Sequence, residues 1–230
     1  MVIFDPIEHK YTNDETNENY ISATTILGEY KPKFDADGMA QRIAQRDGVT
    51  KEEVLENWAA ITKKATDKGS FVHKLLEDYI LSGTTDVRIP WLFQSFDKRI
   101  LETVERYSKV HSEKLLYNHH YKTAGTADLI YDNGKYFYVG DFKTNKAFKF
   151  DSKYNEFHLP PIDHLVCCEF NSYALQLSLY AYMYELMSGK KCKKLFIMYL
   201  RPDLRTFDVH HVNYLKCEVI ALLEHYKDKS

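Results

Sequence analysis

The sequence has few cysteines and no long apolar segment, and both deficits exclude classes of protein. Its four cysteines are Cys167, Cys168, Cys192 and Cys217. They lack C-x-x-C spacing, and an adjacent pair does not suit a secreted disulfide framework, so we expect a reducing cytoplasm. No apolar run approaches the roughly 18 residues that a membrane helix needs, and the first residues do not resemble a signal peptide. These features predict a soluble, cytoplasmic protein with no membrane partner.

An excess of positive charge is also missing. The formal net charge is −2 over 230 residues, so any contact with nucleic acid has to come from local basic patches. We find no internal repeat, low-complexity tract or linker-like change in composition. The hydrophobic content of 44% and the aromatic content of 14% are typical of a chain with a real core. We therefore predict a single domain over residues 1–230.

Hydrophobic periodicity predicts helices first and most of the strands later. A capping box at Thr50–Glu53 indicates a helix start at residue 50, which Gly69 is expected to interrupt. A second run from Phe71 would end at Gly83. Pro90 would open a third helix. Its buried stripe would comprise Leu92, Phe93, Phe96, Ile100, Val104 and Tyr107.

The second half of the chain alternates between strand and helix patterns. An apolar helix is expected over Tyr173–Met187 and a closing helix over 215–226. Further strands are expected at 113–122, on both sides of Asn133-Gly134, at Leu195–Leu200 and at 206–212. The expected class is α/β, a mixed β-sheet flanked by helices. It would comprise an N-terminal helical part at about 20–112 and a core at about 113–212.

Asn133-Gly134 favours a hairpin with a two-residue type I′ turn. Such a turn would place Asp128 opposite Val139, and Asp141 opposite Thr126. It would also pair Asp132 with Lys135 and Ile130 with Phe137. Because side chains alternate along a strand, Asp128, Asp141 and Lys143 would emerge on one face. The two aspartates would be diagonal neighbours, roughly 7–8 Å apart at the backbone.

Two carboxylates that converge in this way need a compensating charge. At about 4 Å, two unit charges repel by about 4 kcal/mol at an effective dielectric constant of ~20. Magnesium suits the site, because it accepts one or two carboxylates and takes its other ligands from water and phosphate oxygens. On its own, an Asp-x-Lys triplet is more often a solvated hairpin end than a catalytic motif. A slip of one residue would also turn the side chains to the opposite face.

Polar residues at helical spacing add further candidates. Ser22, with Thr24, would either cap a helix or meet a phosphate at its N-terminus. His73 and Glu77 share a helix face, although a single helical histidine also suits an ordinary core or surface position. Gln176 and Tyr180 are polar residues four positions apart on one face of the apolar helix. This spacing is also consistent with ordinary hydrogen-bonded helix residues.

The segment from Thr144 to Glu169 lacks clear periodicity. About 25 such residues within a compact domain favour a functional loop or lid. The segment carries Lys146, Lys149 and Lys153. These lysines could contact a substrate backbone or simply form a solvated face.

Four motifs occur in one order along the chain: Gly69-Ser-Phe-Val-His73, Gly125-Thr-Ala-Asp128, Asp141-Phe-Lys143 and Gln176-Leu-Ser-Leu-Tyr180. In these motifs the chain resembles the PD-(D/E)XK nuclease superfamily, and within it the RecB-like exonuclease group. The opening Tyr20–Leu27 is similar to the start of phage members and of the mitochondrial genome maintenance exonuclease. The resemblance implies a restriction-endonuclease-like core with added N-terminal helices.

The resemblance also implies a site. His73, Asp128, Asp141 and the Phe142 carbonyl would bind Mg²⁺ or Mn²⁺, and Lys143 would lie beside the scissile phosphate. The catalytic set would be completed by Gln176 and Tyr180, which would position the substrate or the metal-site residues. Second-tier candidates, for a second metal, are Glu77 and Glu113. Substrate contacts are expected from Ser22, Thr24, Lys146, Lys149 and Tyr180.

The activity implied by the resemblance is metal-dependent hydrolysis of DNA. We expect an exonuclease for single-stranded or end-containing DNA in replication, recombination or repair. It would act in the cytoplasm, that of the host if the chain is phage-encoded. No cysteine precedes Cys167, so we predict no iron–sulfur cluster of the kind found in some branches. Unwinding would need a helicase or recombination partner. The alternatives are a structure-specific endonuclease with the same site and a catalytically silent DNA-binding protein.

Overall fold

The structure is a computed structural model that describes residues 1–6, 8, 10–104, 109–152, 154–203 and 205–229. Its strands are β1 (Val2–Asp5), β2 (Lys10–Asn13), β3 (Asn19–Ser22), β4 (Lys109–Asn118), β5 (Thr123–Asp132), β6 (Tyr136–Lys143), β7 (Lys191–Leu200) and β8 (Phe207–Val212). Its helices are α1 (Ala23–Glu29), α2 (Ala36–Asp47), α3 (Lys51–Ser82), α4 (Pro90–Thr103), α5 (Glu169–Ser188) and α6 (Lys216–Lys229). The predicted α/β class is confirmed, because an eight-stranded mixed sheet is flanked by helices.

Strand β5 pairs with three other strands of the sheet, β3, β4 and β6. The strand order is β1-β2-β3-β5-β6-β7-β8, and β4 pairs with β5 along its whole length. The other edge of β5 is shared: β3 runs parallel to it at Thr123 and Ala124, and β6 runs antiparallel to it from Leu129 to Asp132. Residues 125–128 of β5 therefore lie between two neighbours, where the sheet forks.

Apolar side chains cover both faces of the sheet. On one face, Ile130 and Val139 belong to a buried cluster with α1, α5 and α6. On the other face, Leu129 and Tyr138 pack with α3 and α4. This alternation follows from the period of two along each strand. The sheet is thus the middle of three layers, with α5 central on one side.

Helix α3 differs from its sequence prediction. Thr50 caps it, and both hydrogen bonds of the predicted capping box with Glu53 are present. The predicted interruption at Gly69 is wrong, because the helix continues without a break to Ser82. Glycine inside a helix costs only about 1 kcal/mol relative to alanine. At Gly69 the absent side chain leaves room for Thr144, whose Oγ1 would lie 3.4 Å from an added Cβ.

The β5–β6 hairpin forms with a different turn. Asp132 pairs with Phe137 and Ile130 with Val139, so the predicted pairing is wrong by two residues and four residues separate the last pair. The side chain of Asn133 stabilises this longer turn, because its Oδ1 accepts hydrogen bonds from the amides of Lys135 and Tyr136 at 3.1 and 2.8 Å. An even shift keeps every side chain on its predicted face.

Other boundaries moved less. The first 22 residues form three strands, and β4 begins at Lys109, before the predicted residue 113. Of the predicted α4 stripe, Tyr107 lies outside the described residues, as does Lys153 of the segment after β6. The described part of that segment contains no helix or strand, only an isolated bridge between Phe157 and Val166. Within the described ranges, no helix combines the length and apolar character needed to cross a membrane.

Candidate active site

Two buried aspartates lie where β5 and β6 separate. The β5–β6 ladder ends at Leu129 and Gly140, and the same register extended by one residue places Asp128 opposite Asp141. Beyond this point, Asp128 replaces the missing ladder partner, because its Oδ2 accepts a hydrogen bond from the Phe142 amide at 2.8 Å. Asp128 is 8% exposed and Asp141 is 1% exposed. The fork in the sheet thus holds two carboxylates close together.

A third carboxylate comes from β4. Ser112 pairs with Leu129 and Lys114 with Ala127, so Glu113 lies opposite Asp128 in the same row. Glu113 has a φ of 48°, in the left-handed region that residues other than glycine rarely occupy. Such backbone strain often accompanies a functional site.

His73 joins this row from α3. Its Nδ1 lies 3.5 Å from Asp128 Oδ2 and 4.0 Å from Glu113 Oε1. Its Nε2 lies 3.1 Å from the Phe142 carbonyl oxygen. Because a carbonyl can only accept, this contact places a proton on Nε2. In the neutral ring, Nδ1 then offers a lone pair toward two carboxylates. The ligand atoms of His73, Glu113 and Asp128 all lie within 4.8 Å of one another.

The electrostatics of this cluster disfavour negative charge. Burial, followed by the charge of Asp141, raises the pKa of Asp128 to about 7. Burial also raises the pKa of Glu113, although His73 opposes the shift. A cation between these groups would reverse both effects, because opposite charge favours the ionised carboxylate.

Lys143 supplies the positive charge beside Asp141. Its ammonium group forms an ion pair with Asp141 Oδ2. That oxygen is buried, so solvent does not weaken the ion pair. Burial acts to lower the pKa of Lys143, but the charges of Asp141 and Asp128 outweigh it and the net effect raises the pKa. Lys143 is therefore a cation at neutral pH.

Helix α5 contributes two polar residues, Gln176 and Tyr180, near the aspartates. Gln176 Nε2 donates a hydrogen bond to the Tyr180 hydroxyl at 3.2 Å. Tyr180 is 4% exposed, and burial raises the pKa of its hydroxyl. A Cβ added at Gly125 would lie 2.7 Å from Tyr180 Cε1. The glycine of the second motif thus lets β5 approach the tyrosine ring.

An open cleft of about 930 Å³ leads to the cluster. Helix α3 forms one wall, and the end of β6 with the residues that follow it forms the other. The lining includes Gly69, Ser70, His73, Lys74, Glu77, Glu113, Lys143, Thr144, Asn145, Lys146 and Tyr173. The cleft brings together His73, Glu77, Glu113, Lys143 and Lys146 of the predicted site, while Asp128 and Asp141 lie beneath it.

Of the other predicted residues, Ser22 and Lys149 lie outside the lining of this cleft, whereas Glu77 is part of it. Ser22 caps α1, because its side chain accepts a hydrogen bond from the Thr25 amide at 3.0 Å, which confirms the capping interpretation. Lys149 lines a different cavity of about 320 Å³. Glu77 lines the cleft and is paired with Lys74 at 3.1 Å.

Several residues that line the cleft were not among the predicted site residues, and Tyr173 and Asn145 are two of them. Tyr173 lies three residues before Gln176 on α5, so helical spacing could have suggested it. No sequence signal identifies Asn145, because it lies beyond the end of β6, in the segment without clear periodicity. Glu113 was a second-tier candidate, whereas the structure places it directly beside His73 and Asp128.

No protein-family model matches the chain, and no curated protein does. The crystal structure of SSO0001 superposes with a TM-score of 0.41 at 16% identity, over 92% of this chain and 76% of that one. A crystal structure of a "Putative exonuclease" from Eubacterium rectale gives 0.42 at 12% identity, over 94% of this chain and 81% of that one. Likenesses at this level carry no argument about function, which therefore has to rest on the site.

Proposed function

We propose that the chain is a metal-dependent nuclease that hydrolyses phosphodiester bonds of DNA. One observation carries the proposal: His73, Glu113 and Asp128 converge at the floor of a cleft that also contains the Asp141–Lys143 ion pair. A divalent cation and a fixed positive charge both promote phosphodiester hydrolysis, because each stabilises the negative charge that develops on the phosphate.

The side chains present fit a metal ion. Nitrogen and carboxylate oxygen are ligands for Mn²⁺, and the carboxylates also suit Mg²⁺. The ion would be held by His73, Glu113 and Asp128, with Asp141 as a further carboxylate ligand. The raised pKa of Asp128 supports this assignment, since buried carboxylates in contact require a proton or a cation. A bound ion would polarise a phosphate oxygen and lower the pKa of a water molecule.

The residues of the chain have separate roles in this proposal. Lys143 offers a preformed positive charge to the negative charge that develops on the phosphate. His73 is oriented by the Phe142 carbonyl, which fixes the nitrogen that faces the cleft. Tyr180 and Gln176 support the aspartates from α5. Lys146, which lines the cleft, would contact the substrate backbone.

We further propose that the substrate is linear DNA, single-stranded or with a free end. The irregular segment follows directly after Lys143, the last residue of β6. It carries exposed aromatic side chains, among them Tyr154 and Phe157. Such side chains stack on bases without recognising sequence. The biological setting would be replication, recombination or repair in the cytoplasm, with a helicase or recombination protein as partner.

The proposal is tested with matched linear and circular single-stranded DNA. The protein is incubated with each substrate in Mn²⁺, in Mg²⁺ and in EDTA, and the products are separated by gel electrophoresis. We expect metal-dependent loss of the linear strand and survival of the circle. Rapid cleavage of the circle would favour a structure-specific endonuclease. Binding without cleavage of either substrate would favour a catalytically silent DNA-binding protein.

A further inference from the structure

Lys143 has a second neighbour besides Asp141. Its ammonium nitrogen lies 4.6 Å from the centre of the Tyr173 ring, within the range of a cation–π attraction. Tyr173 belongs to α5 and lines the cleft. The ammonium group is therefore held between a carboxylate from its own strand and an aromatic face from a different element.

The Tyr173 ring is itself fixed from two directions. Its hydroxyl accepts a hydrogen bond from Asn145 Nδ2 at 2.7 Å, and the same amide lies 3.1 Å from Glu169 Oε2. Phe148 stacks on the ring at a centroid distance of 5.9 Å and an interplanar angle of 28°. The segment that follows the catalytic strand thus folds back and holds the ring.

We propose that Tyr173 is a positioning residue for Lys143. The aromatic face restricts the ammonium to the side of Asp141 that borders the cleft, and the stacking of Phe148 holds the ring in place. This inference rests on the proposed nuclease function only for its kinetic consequence. Because the attraction uses the ring face, the hydroxyl of Tyr173 is dispensable for the contact, whereas the aromatic ring is required.

Kinetics on linear single-stranded DNA separate this role from substrate binding. Tyr173→Leu should lower kcat by roughly 10-fold to 10²-fold, the scale of a misplaced catalytic group, with KM changed by less than about 3-fold. Tyr173→Phe keeps the ring and should retain kcat within about 3-fold. A raised KM with unchanged kcat would overturn the proposal, because it would mean that Tyr173 binds substrate. Full activity of Tyr173→Leu would overturn it as well.

Tyr182 provides a matched control on the same helix. Lys216 Nζ lies 5.8 Å from the centre of its ring, and Tyr182 does not line the cleft. Tyr182→Leu removes a comparable lysine–tyrosine contact and should leave kcat unchanged. An equal loss of kcat in both leucine variants would assign the effect to α5 as a whole and overturn the specific role. Tyr173→Met replaces Tyr173→Leu if the latter unfolds at the assay temperature.

A measurement without catalysis tests the contact directly. The unfolding free energies of wild type, Lys143→Met, Tyr173→Leu and the double variant form a double-mutant cycle in metal-free buffer. We expect the double variant to lose less stability than the sum of the single variants. Additive losses would overturn the proposal. If wild type cleaves no DNA yet the cycle is non-additive, the proposed function fails and the Lys143–Tyr173 contact stands.

Discussion

The row of acidic residues Glu113, Asp128 and Asp141 gives single side chains a measurable influence on stability. Burial and the charge of Asp141 raise the pKa of Asp128 to about 7, against about 3.9 for an unperturbed aspartate. The folded protein therefore binds this proton more tightly than the unfolded chain. The resulting stabilisation is complete below about pH 4 and is lost as the pH rises through about 7.

Asp128→Asn tests this dependence, because asparagine is neutral and keeps an acceptor for the Phe142 amide. In EDTA at pH 8 we expect the variant to be more stable than wild type by roughly 1–2 kcal/mol, or about 2–8 °C in Tm. At pH 4 the two proteins should melt within about 2 °C of each other. Thermal melts at both pH values provide the comparison. An advantage of the variant that does not change with pH would contradict the assigned pKa.

Glu113 and Glu77 are two glutamates that both line the cleft, so they form a matched pair. Only Glu113 belongs to the cluster with His73 and Asp128, whereas Glu77 is paired with Lys74. We expect Glu113→Gln to weaken Mn²⁺ binding by at least about 10-fold, and Glu77→Gln to change it by less than about 3-fold. Isothermal titration calorimetry measures both constants. Equal effects would remove Glu113 from the metal site.

Most of the arrangement of side chains in the candidate site could be predicted from the sequence, but not all of it. The period of two along a strand is enough to place Asp128, Asp141 and Lys143 on one face, and it holds even though the turn differs. The position of Glu113 directly beside His73 and Asp128 could not be predicted. It depends on the long-range pairing of β4 with β5 and on a positive φ, and neither leaves a local sequence signal.

Among the elements, the close approach of β5 to α5 makes Gly125 sensitive to any side chain. An added Cβ would lie 2.7 Å from Tyr180 Cε1 and 3.3 Å from the Ala23 Cβ. The ring is buried, so it cannot move aside freely. We expect Gly125→Ala to destabilise the protein by about 1–3 kcal/mol through overpacking and to lower activity through Tyr180.

Gly28→Ala is the control for this substitution. Gly28 lies in α1, and an added Cβ there would meet no atom within 4 Å. Alanine in a helix is favoured over glycine by roughly 0.5–1 kcal/mol, so this variant should be slightly more stable than wild type. Chemical denaturation of both variants gives the comparison. If Gly125→Ala is tolerated as well as Gly28→Ala, the packing against Tyr180 is not tight.

Element boundaries were predicted well where capping is local and poorly where tertiary contacts decide. The capping box of α3 and the cap by Ser22 could both be predicted from the sequence, because their hydrogen bonds join residues close in sequence. The continuity of α3 through Gly69 was not predicted, because a single glycine costs a helix only about 1 kcal/mol, which the rest of the helix outweighs. The four-residue turn depends on hydrogen bonds of Asn133 that compete with the favoured two-residue turn.

For the whole molecule, the α/β class follows from the order of helices and strands. The fork at β5 does not follow from that order, because it requires three N-terminal strands to join the same sheet. That fork is what opens the space in which the carboxylates meet. A sequence pattern can therefore indicate the acidic residues and the layer arrangement, whereas the shape of the cleft depends on how distant strands pair.

If the proposed metal site is correct, metal binding should stabilise the whole fold, because the proposed ligands come from α3, β4, β5 and β6. A ligand at about 100 times its Kd stabilises a protein by about 2.7 kcal/mol, which corresponds to about 5–10 °C in Tm for a chain of this size. We expect Mn²⁺ to produce such a shift in wild type and little or none in Asp128→Asn. Differential scanning calorimetry measures both. An equal shift in the variant would place the ion elsewhere.

The central claim is that this cleft hydrolyses DNA with Lys143 beside the phosphate. Its most direct test is the kcat of Lys143→Met relative to wild type on linear single-stranded DNA in Mn²⁺, with EDTA as the blank. Methionine keeps much of the side-chain volume but removes the charge. The account predicts no cleavage in EDTA, and a kcat that falls by roughly 10²–10³ while KM changes far less. Cleavage by Lys143→Met at a rate near that of wild type would contradict it.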